Sequence, residues 1–582
     1  MRAAPRLRPR FAPLVSFVAL LALAPTVDAH PGDEQDLDLT EAFTTPASPI
    51  EVPRAKAQRA PEPPLKATPG IPCGPGSNPE TGIQGRVPQE DHDSGRAAEG
   101  YTCNTKQLGS YEAAENPIGS IGGFKVERYV DESGNECAYY DTTLLFPTNI
   151  LDLQGGVNVM DMADPKNPEF VKQLITPAML SPHESLVVSQ ERGVLAAVLG
   201  NPLFNLGWVD IYDISQDCRA PVLKSSLPVG VFGHESGMAP DGNTFYAASP
   251  ATETLIAVDI ENLSLPVPIW YGAYDSHGLS ISNSGNRAYV AGTGSGLHIL
   301  DTSEIQERVP NPTVTELSNL TWESMSIPQN AIPISIDGKK YVMEIDEFGA
   351  QSEVGAGRII NIEDETAPKV VSNLRLEVHQ PENFAELAGD PGTLLPLQGY
   401  AGHYCNVPQR KDPGIVACSY ILSGLRVFDI RDPKHPKEIA YFNAPVSDRL
   451  TPGFEASNWA MSSPAFDAEN GEIWYSDGFQ GFYTVKTTND VWPFPKCKGR
   501  EATITSTKKV LRGTNKRDVI VGLRKTDKIN GGRGDDLICG RGGTDLLKGG
   551  KGNDELRGGR GHDRFVGGPG RDRYVSGKVL RD

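Results

Sequence analysis

The sequence predicts an all-β chain: a seven-bladed β-propeller followed by a parallel β-roll of nonapeptide repeats. Three observations carry this prediction. From about residue 100 to 490 two frames alternate, each seven times. One opens a unit with a polar or aromatic pair running into a short apolar strand: GYTCNTKQ (100–107), PHESLVVS (182–189), GHESGMAP (233–240), SHGLSISN (276–283), WESMSIPQ (322–329), GHYCNVPQ (402–409) and NWAMSSPA (458–465). The other closes a later strand on an Asp-containing turn: VNVMDM, VDIYDI, LIAVDI, LHILDT, RIINIE, LRVFDI and FYTVKT. Within a unit the runs are short, alternating and β-branched, with turn signals such as Asp241-Gly242 between them, as in the stretch Phe232 to Ile260 with TFYAAS and LIAVDI. Four strands per unit at a spacing of about 40–65 residues is the rhythm of propeller blades. Third, from Gly513 to Val575 the chain repeats every nine residues without a gap.

In chain order, Met1 to Ala29 has an Arg-rich start, an apolar run from about Leu14 to Ala24 and Val27-Asp28-Ala29 at its end, the layout of a secretory signal peptide. The run is too short to span a bilayer comfortably. The mature protein is therefore expected to be secreted, extracellular or at the cell surface, with no membrane span. Residues 30–95, acidic and then rich in Pro and Ala, read as an extended linker. The propeller is assigned to 96–495 and the roll to 496–582. The seventh unit has strands near WAMSSP, EIWYSD and GFYTVKT but no fourth, and a closed ring avoids an open edge. GIQGRVP (82–88) is the segment expected to complete that blade.

Eight cysteines suit an oxidising destination. Matching frames place Cys103 with Cys137 and Cys405 with Cys418. Cys497 and Cys539 flank the start of the repeat array as a third pair, leaving Cys73 and Cys218 by elimination; spacing alone leaves other connectivities open. The net charge of −19 argues against nucleic acid as a partner. From Gly513 onward, however, 16 Lys or Arg face 10 Asp or Glu, so the tail is basic.

LRVFDIRDPKHPKEIAYF (425–442) and VNVMDMADPKNPEFVKQL (157–174) resemble the LVIVD repeat: an apolar strand, Asp, then Asp-Pro-x-x-Pro and another strand. Asp caps such a turn through its own side chain and Pro fixes the backbone for it. The resemblance implies a secreted or surface propeller and no definite chemistry. The nonapeptides GTNKRDVIV, GLRKTDKIN, GGRGDDLIC, GRGGTDLLK, GGKGNDELR, GGRGHDRFV and GGPGRDRYV resemble the RTX, or haemolysin-type, repeat, which implies calcium. The expected ligands are Asp536, Asp545, Asp554, Asp563 and Asp572 at the sixth place, with Gly532, Gly534, Gly543, Gly550, Gly552, Gly559, Gly561, Gly568 and Gly570 supplying tight turns and free carbonyls. Asp518 and Asp527 are weaker candidates, because Lys516 and Lys525 stand at the fourth place of their repeats. The best sites are expected between turns two repeats apart, as Asp536 with Asp554.

An innermost propeller strand starts at the channel mouth, so the opening frames should converge His183, His234, His277 and His403 there, with Glu184, Glu235 and Glu323 beside them. That is a candidate transition-metal or acid–base site. No His-Glu-x-x-His motif and no Gly-x-Ser-x-Gly elbow is present. The first functional reading is a secreted calcium-binding repeat protein, its propeller a binding module and its roll a stabiliser or a tether to an anionic cell-surface polymer or protein ligand. The alternative is a secreted metal-dependent hydrolase or oxidoreductase, which needs metal in the propeller itself.

Overall fold

The computed structural model describes residues 48–112, 122–142, 155–200, 207–231, 233–349, 354–391, 399–446, 458–478, 480–505, 509–523 and 525–579. The expected signal peptide and the acidic start of the expected linker lie outside them. No helix among the described residues is long and apolar enough to cross a membrane.

Seven antiparallel sheets form the propeller. The first blade comprises Val126–Val130, Glu136–Asp141, Val157–Asp161 and Glu169–Leu174; the sixth, for comparison, Gly402–Asn406, Ile415–Tyr420, Gly424–Asp429 and Lys437–Asn443. All seven Asp-turn frames are third strands. In every blade the register of the third against the fourth strand slips once, at Ile211/Tyr212 in the second blade and at Val427/Phe428 in the sixth, for example. A bulge raises the local twist, and the same bulge seven times gives each blade the same twist. The capping chemistry is as the sequence implies. Asp161 Oδ1 accepts the Ala163 N–H at 2.9 Å, Asp213 that of Ser215 at 3.0 Å and Asp429 that of Arg431 at 3.0 Å. The core is seven separate apolar wedges, one at each junction between blades, including the junction of blade seven with blade one (Val126, Tyr140, Trp474, Phe482).

Four expectations need correction. The frame at 100–107 does not open a blade. Tyr101–Cys103 adds a fifth, antiparallel strand outside blade six, and Thr105–Tyr111 is the outer strand of blade seven, pairing Phe482 with Tyr111 and Thr487 with Thr105. The inner strand of blade one is Val126–Val130. The ring is thus closed by its N-terminal side, but by Thr105–Tyr111 and not by 82–88, which packs on blades five and six through Val87 N–H to Tyr400 Oη (3.1 Å) and Gly85 against Leu376. TKQLGSY alternates polar and small residues, as a half-exposed outer strand should.

The segment read as a linker is a rim belt from residue 48 onward. Ile50–Glu51 and Ala57–Arg59 pair in parallel with the outer strands Val267–Ala273 and Thr315–Thr321, and single bridges follow at Ala67 to Arg375 and Gly70 to Glu438. Outer strands leave unpaired backbone groups, and a Pro-rich chain can cover them without needing every N–H. The belt is tied down by Arg426, fully buried and ion-paired with Glu80 and with Glu438 (3.1 Å).

The disulfides are Cys73–Cys103, Cys137–Cys218, Cys405–Cys418 and Cys497–Cys539. Cys103 does not bond Cys137, because Cys103 lies on the rim of blade six whereas Cys137 is in the second strand of blade one. Cys405 and Cys418 face each other directly on adjacent strands.

The C-terminal roll is two parallel sheets. One runs Val510–Arg512, Lys528–Arg533, Leu546–Lys551, Arg564–Val566, Lys578–Val579; the other runs Val519–Val521, Leu537–Cys539, Glu555–Arg557, Arg573–Val575. Neighbouring strands up to Arg564–Val566 and Arg573–Val575 are eighteen residues apart in sequence, so two nonapeptides make one full turn. The eighth-place residues Ile520, Ile529, Ile538, Leu547, Leu556 and Phe565 fill the interior.

Candidate metal centres in the channel mouth and the roll

Four histidines meet at the channel mouth, each from the start of a different inner strand, as the frames predict. Their rings form a series: His183 to His234 with centroids 4.3 Å apart, His234 to His277 at 4.5 Å, and Phe124 touching both His183 (4.7 Å) and His403 (5.3 Å). His183 sits in the left-handed backbone region, φ 53°; a non-glycine residue holds that conformation only where its surroundings impose it.

The nitrogens point inward. His277 Nδ1 lies 2.8 Å from the Pro328 carbonyl and His403 Nδ1 lies 2.7 Å from the Met461 carbonyl. A carbonyl accepts only, so each Nδ1 carries the proton and, in the neutral ring, each Nε2 offers a lone pair. His277 Nε2 then meets His234 Nε2 at 2.6 Å. Around the same point lie Glu184, 3.4 Å from both His234 Nε2 and His403 Nε2, and Glu347, 3.5 Å from His277 Nε2 and 3.0 Å from His403 Nε2. Two triads of donors, His183–Glu184–His234 and Glu184–Glu347–His403, each have their ligand atoms within 4.8 Å of one another and share Glu184.

The electrostatics favour the ligand forms of His183, His234 and Glu184 and oppose that of His403. Burial, and then the neighbouring His234, push the His183 imidazole down to about 3. Burial and the rings of His277 and His403 hold His234 well below the usual range. Burial opposes ionisation of Glu184, yet the imidazoles of His183, His403 and His277 outweigh it and keep this carboxyl below its ordinary value. His403 runs the other way: burial would lower it, but Glu347 and Glu184 outweigh that and raise it. Neutral imidazoles beside ionised carboxylates are the protonation states that bind a cation.

Glu323 is not part of this site. Its side chain is 83% exposed, and it faces Arg59 of the rim belt at 3.8 Å. Trp322, in the same frame, is buried under Arg358 and donates to Asp346. Glu235 lies one layer deeper, accepting from Lys125 Nζ at 2.8 Å and Asn330 Nδ2 at 2.5 Å. Gln329 bridges the layers, donating to Glu184 and to Tyr404 Oη. Glu347 and Lys125 are absent from the opening frames: one ends a second strand, the other precedes the inner strand of blade one. Below them the channel opens into a cavity of about 410 Å³ lined by Lys125, Glu127, Glu235, Asn330 and Arg410.

Another buried histidine offers a contrast. In blade four His298 lies 2.7 Å from Ser295 Oγ and 2.7 Å from Glu316 Oε1, with Asp275 also accepting from Ser295. Glu316 Oε2 is taken by the Ala55 N–H of the rim belt (3.0 Å) and Asp275 by the Thr293 N–H (3.1 Å). Every side-chain polar atom of these four residues has a protein partner, so the network joins belt and hairpin and leaves no group over for a ligand.

In the roll, the sixth-place aspartates stack. Asp554 Oδ1 accepts the Asp536 N–H at 2.9 Å, Asp563 Oδ1 that of Asp545 at 2.9 Å and Asp572 Oδ1 that of Asp554 at 2.9 Å. The second oxygen, Oδ2, of Asp536, Asp545, Asp554 and Asp563 is buried with no hydrogen-bond partner. Each faces a cradle that a side chain would fill: a Cβ at Gly531 would fall within 3 Å of both Asp536 Oδ2 and the Gly549 carbonyl, and one at Gly549 within 3 Å of Asp554 Oδ2 and the Gly567 carbonyl. Orphaned carboxylate oxygens beside backbone carbonyls form an all-oxygen set suited to calcium. The nine glycines expected to shape these turns all have positive φ, from 94° at Gly568 to 154° at Gly570. The first two repeats differ. Asp518 Oδ2 is occupied by Thr514 N–H and Oγ1 at 2.7 and 2.9 Å, and Asp527 Oδ2 by Leu523 N–H at 2.6 Å.

No curated protein matches the chain. Among solved structures it resembles hydrazine synthase of Kuenenia stuttgartiensis (16% identity over 50% of this chain and 72% of that one, TM-score 0.34). It also resembles the periplasmic gluconolactonase PpgL of Pseudomonas aeruginosa (12% identity, 57% and 92%, TM-score 0.40). Likenesses this distant bear on neither activity nor ligand. The family pattern that does match is the RTX calcium-binding nonapeptide repeat, a pattern of four copies found at 512–547 and again at 540–574, so this stretch of the chain carries RTX calcium-binding repeats.

Proposed function

We propose that this is an exported, calcium-dependent metalloprotein: a propeller holding a divalent first-row transition metal at its channel mouth, and a roll that folds on calcium. The observation that carries the propeller reading is the meeting of His234 Nε2 and His277 Nε2 at 2.6 Å, with carboxylate oxygens of Glu184 and Glu347 3.0–3.5 Å from the imidazole nitrogens around them. Lone pairs aimed at one another are unfavourable without a proton or a cation between them, and two flanking carboxylates favour the cation. Imidazole with carboxylate suits zinc, manganese, iron, nickel or copper better than calcium. His183, His234, His277, His403, Glu184 and Glu347 are the proposed ligands, with Gln329 orienting Glu184. This favours the metal-dependent hydrolase or oxidoreductase over a purely ligand-presenting propeller. In the roll, Asp536, Asp545, Asp554, Asp563 and Asp572 with the neighbouring glycine carbonyls would hold calcium, while Thr514 and Leu523 occupy Oδ2 of Asp518 and Asp527, which argues against strong sites there. Export is supported by four disulfides and by the RTX repeats.

A binding-module reading is second, favoured by the 410 Å³ cavity at the opposite end of the channel, where Glu235 Oε2 and Asn330 Oδ1 are buried without partners. One experiment separates the two. The full chain, produced in an oxidising compartment and dialysed, is analysed for bound metals beside a His234→Ala, His403→Ala double variant. The expected result is a stoichiometric transition metal in the parent and none in the variant, with the calcium response of the roll unchanged in both. A parent that stays free of transition metal after exposure to each of the five named ions overturns the metalloprotein reading.

A further inference from the structure

The two sheets of the roll differ in what they show to solvent. In the sheet beginning at Val510 the eighth-place residues point inward, so the seventh and ninth places face outward. The register aligns Val510, Lys528, Leu546, Arg564 and Lys578 in one column and Arg512, Asn530, Lys548 and Val566 in the next. Each of the five rungs therefore carries one cation, Arg512, Lys528, Lys548, Arg564 and Lys578, and no rung carries an acid. All five are exposed, and among the described residues none is ion-paired. The other sheet is mixed, its Glu555 paired with Arg557 and with Lys498. Beside the basic face runs a groove of about 660 Å³ to which Arg533 and Lys551 add two more cations, again exposed.

Neighbouring parallel strands stand about 4.8 Å apart and columns two residues apart about 6.6 Å, so the face is a flat ladder about 19 Å long whose single positive charges mostly alternate between the two columns, about 8 Å from one to the next. Duplex DNA carries a charge about every 1.7 Å of its axis, far denser than the ladder. A flexible single-chain polymer with one carboxylate or sulfate every sugar or two fits the spacing. The sixth-place aspartates flank the ladder on both loop edges. Ionised and empty, they offset it; with calcium bound they are neutralised, and the five cations dominate the local field.

We propose that this face docks an acidic polysaccharide, and does so only when the roll is loaded with calcium. The inference rests on the calcium reading of the roll and gives the tether a surface and a partner class.

The test uses the full-length, disulfide-intact protein, with hyaluronan as the carboxylated probe, uncharged dextran as control and duplex DNA as competitor. The parent should bind hyaluronan in calcium and lose it in chelator, with affinity falling as salt rises. Arg512→Gln, Lys528→Gln, Lys548→Gln and Arg564→Gln together should weaken binding at least about tenfold, since several phosphate-like contacts vanish. A variant of equal charge change elsewhere on the roll, Lys525→Gln, Arg560→Gln, Arg571→Gln and Arg573→Gln, should stay within about twofold of the parent. Calcium-induced circular dichroism, recorded on all three proteins, reports calcium loading separately. Should the ladder variant lose that response, the single variants Lys528→Gln and Lys548→Gln take its place, each expected to weaken binding severalfold. Equal loss in both quadruple variants, binding that survives chelation, tighter binding to DNA than to hyaluronan, or a roll that takes calcium yet ignores hyaluronan each overturns the proposal; the last leaves the calcium reading standing.

Discussion

Gly549 has no room for a methyl group, because the point where a Cβ would sit is already approached by Asp554 Oδ2 and by the Gly567 carbonyl. Gly549→Ala should therefore push apart the oxygens proposed to share an ion. The calcium midpoint, followed by circular dichroism, is expected to rise at least about tenfold, the equivalent of about 1.4 kcal/mol. The stacked aspartates also predict a pH dependence. Without calcium, burial and the like charges of neighbouring aspartates push Asp536 up to about 6 and Asp545 up to about 7. In the unfolded chain both ionise near 4. Below that value they are protonated in either state and cost nothing; as pH rises through their folded values, the folded roll must hold charges that the unfolded chain holds more easily. In chelator the β-structure that the roll retains, followed by circular dichroism, should fall between pH 5 and pH 8, and saturating calcium should abolish the fall. A calcium-free roll equally stable at both pH values would count against the stacking.

At the scale of elements, what was legible in the sequence is what repeats for a chemical reason. The third strands are found correctly because five of the seven end on an Asp that must cap its own turn, as Asp213 and Asp429 do. The four histidines are found because their place at the head of an inner strand recurs. Glu347 is missed because it ends a second strand in one blade only, and Glu323 misleads because sharing a frame with Glu184 does not give its side chain the same direction. The closing strand was hidden for a different reason. TKQLGSY is too polar to read as a strand, and GYTCNTKQ mimics an opening frame, which also displaced one disulfide. That disulfide gives a prediction at this scale. Cys73–Cys103 closes a 30-residue separation on the rim beside the closing strand, and Cys73→Ser with Cys103→Ser should cost about 3 kcal/mol, read as a lower denaturant midpoint for the propeller and an unaltered calcium response of the roll.

Over the whole molecule, propeller and roll are joined by Arg431, which donates to the Ala502 carbonyl, and by Arg541 to Asp490 at 2.5 Å, while Cys497–Cys539 staples the segment that enters the roll to its third repeat. Cys539 is the ninth residue of the third repeat, three places from Asp536, so the staple grips the array next to its first good calcium site. Limited proteolysis in chelator should remove the repeats beyond Cys539 and leave the propeller with its transition metal; in calcium both parts should survive. Loss of the propeller metal on chelating calcium alone would mean that the two centres are not independent.

The ring closure described above also imposes an order on the life of the chain. Gly109 N–H donates to Thr484 Oγ1 across 375 residues, so the segment that leaves the ribosome, and under the export reading crosses the membrane, early is the last to find its place. Until blade seven arrives, Thr105–Tyr111 has no partner and the six finished blades form an open arc with both edges bare. Pairing over such a distance is slow. The Cys73–Cys103 link, spanning far less chain, can form at once and hold the waiting strand against the growing rim, which makes the early disulfide a bookmark for the final step of assembly.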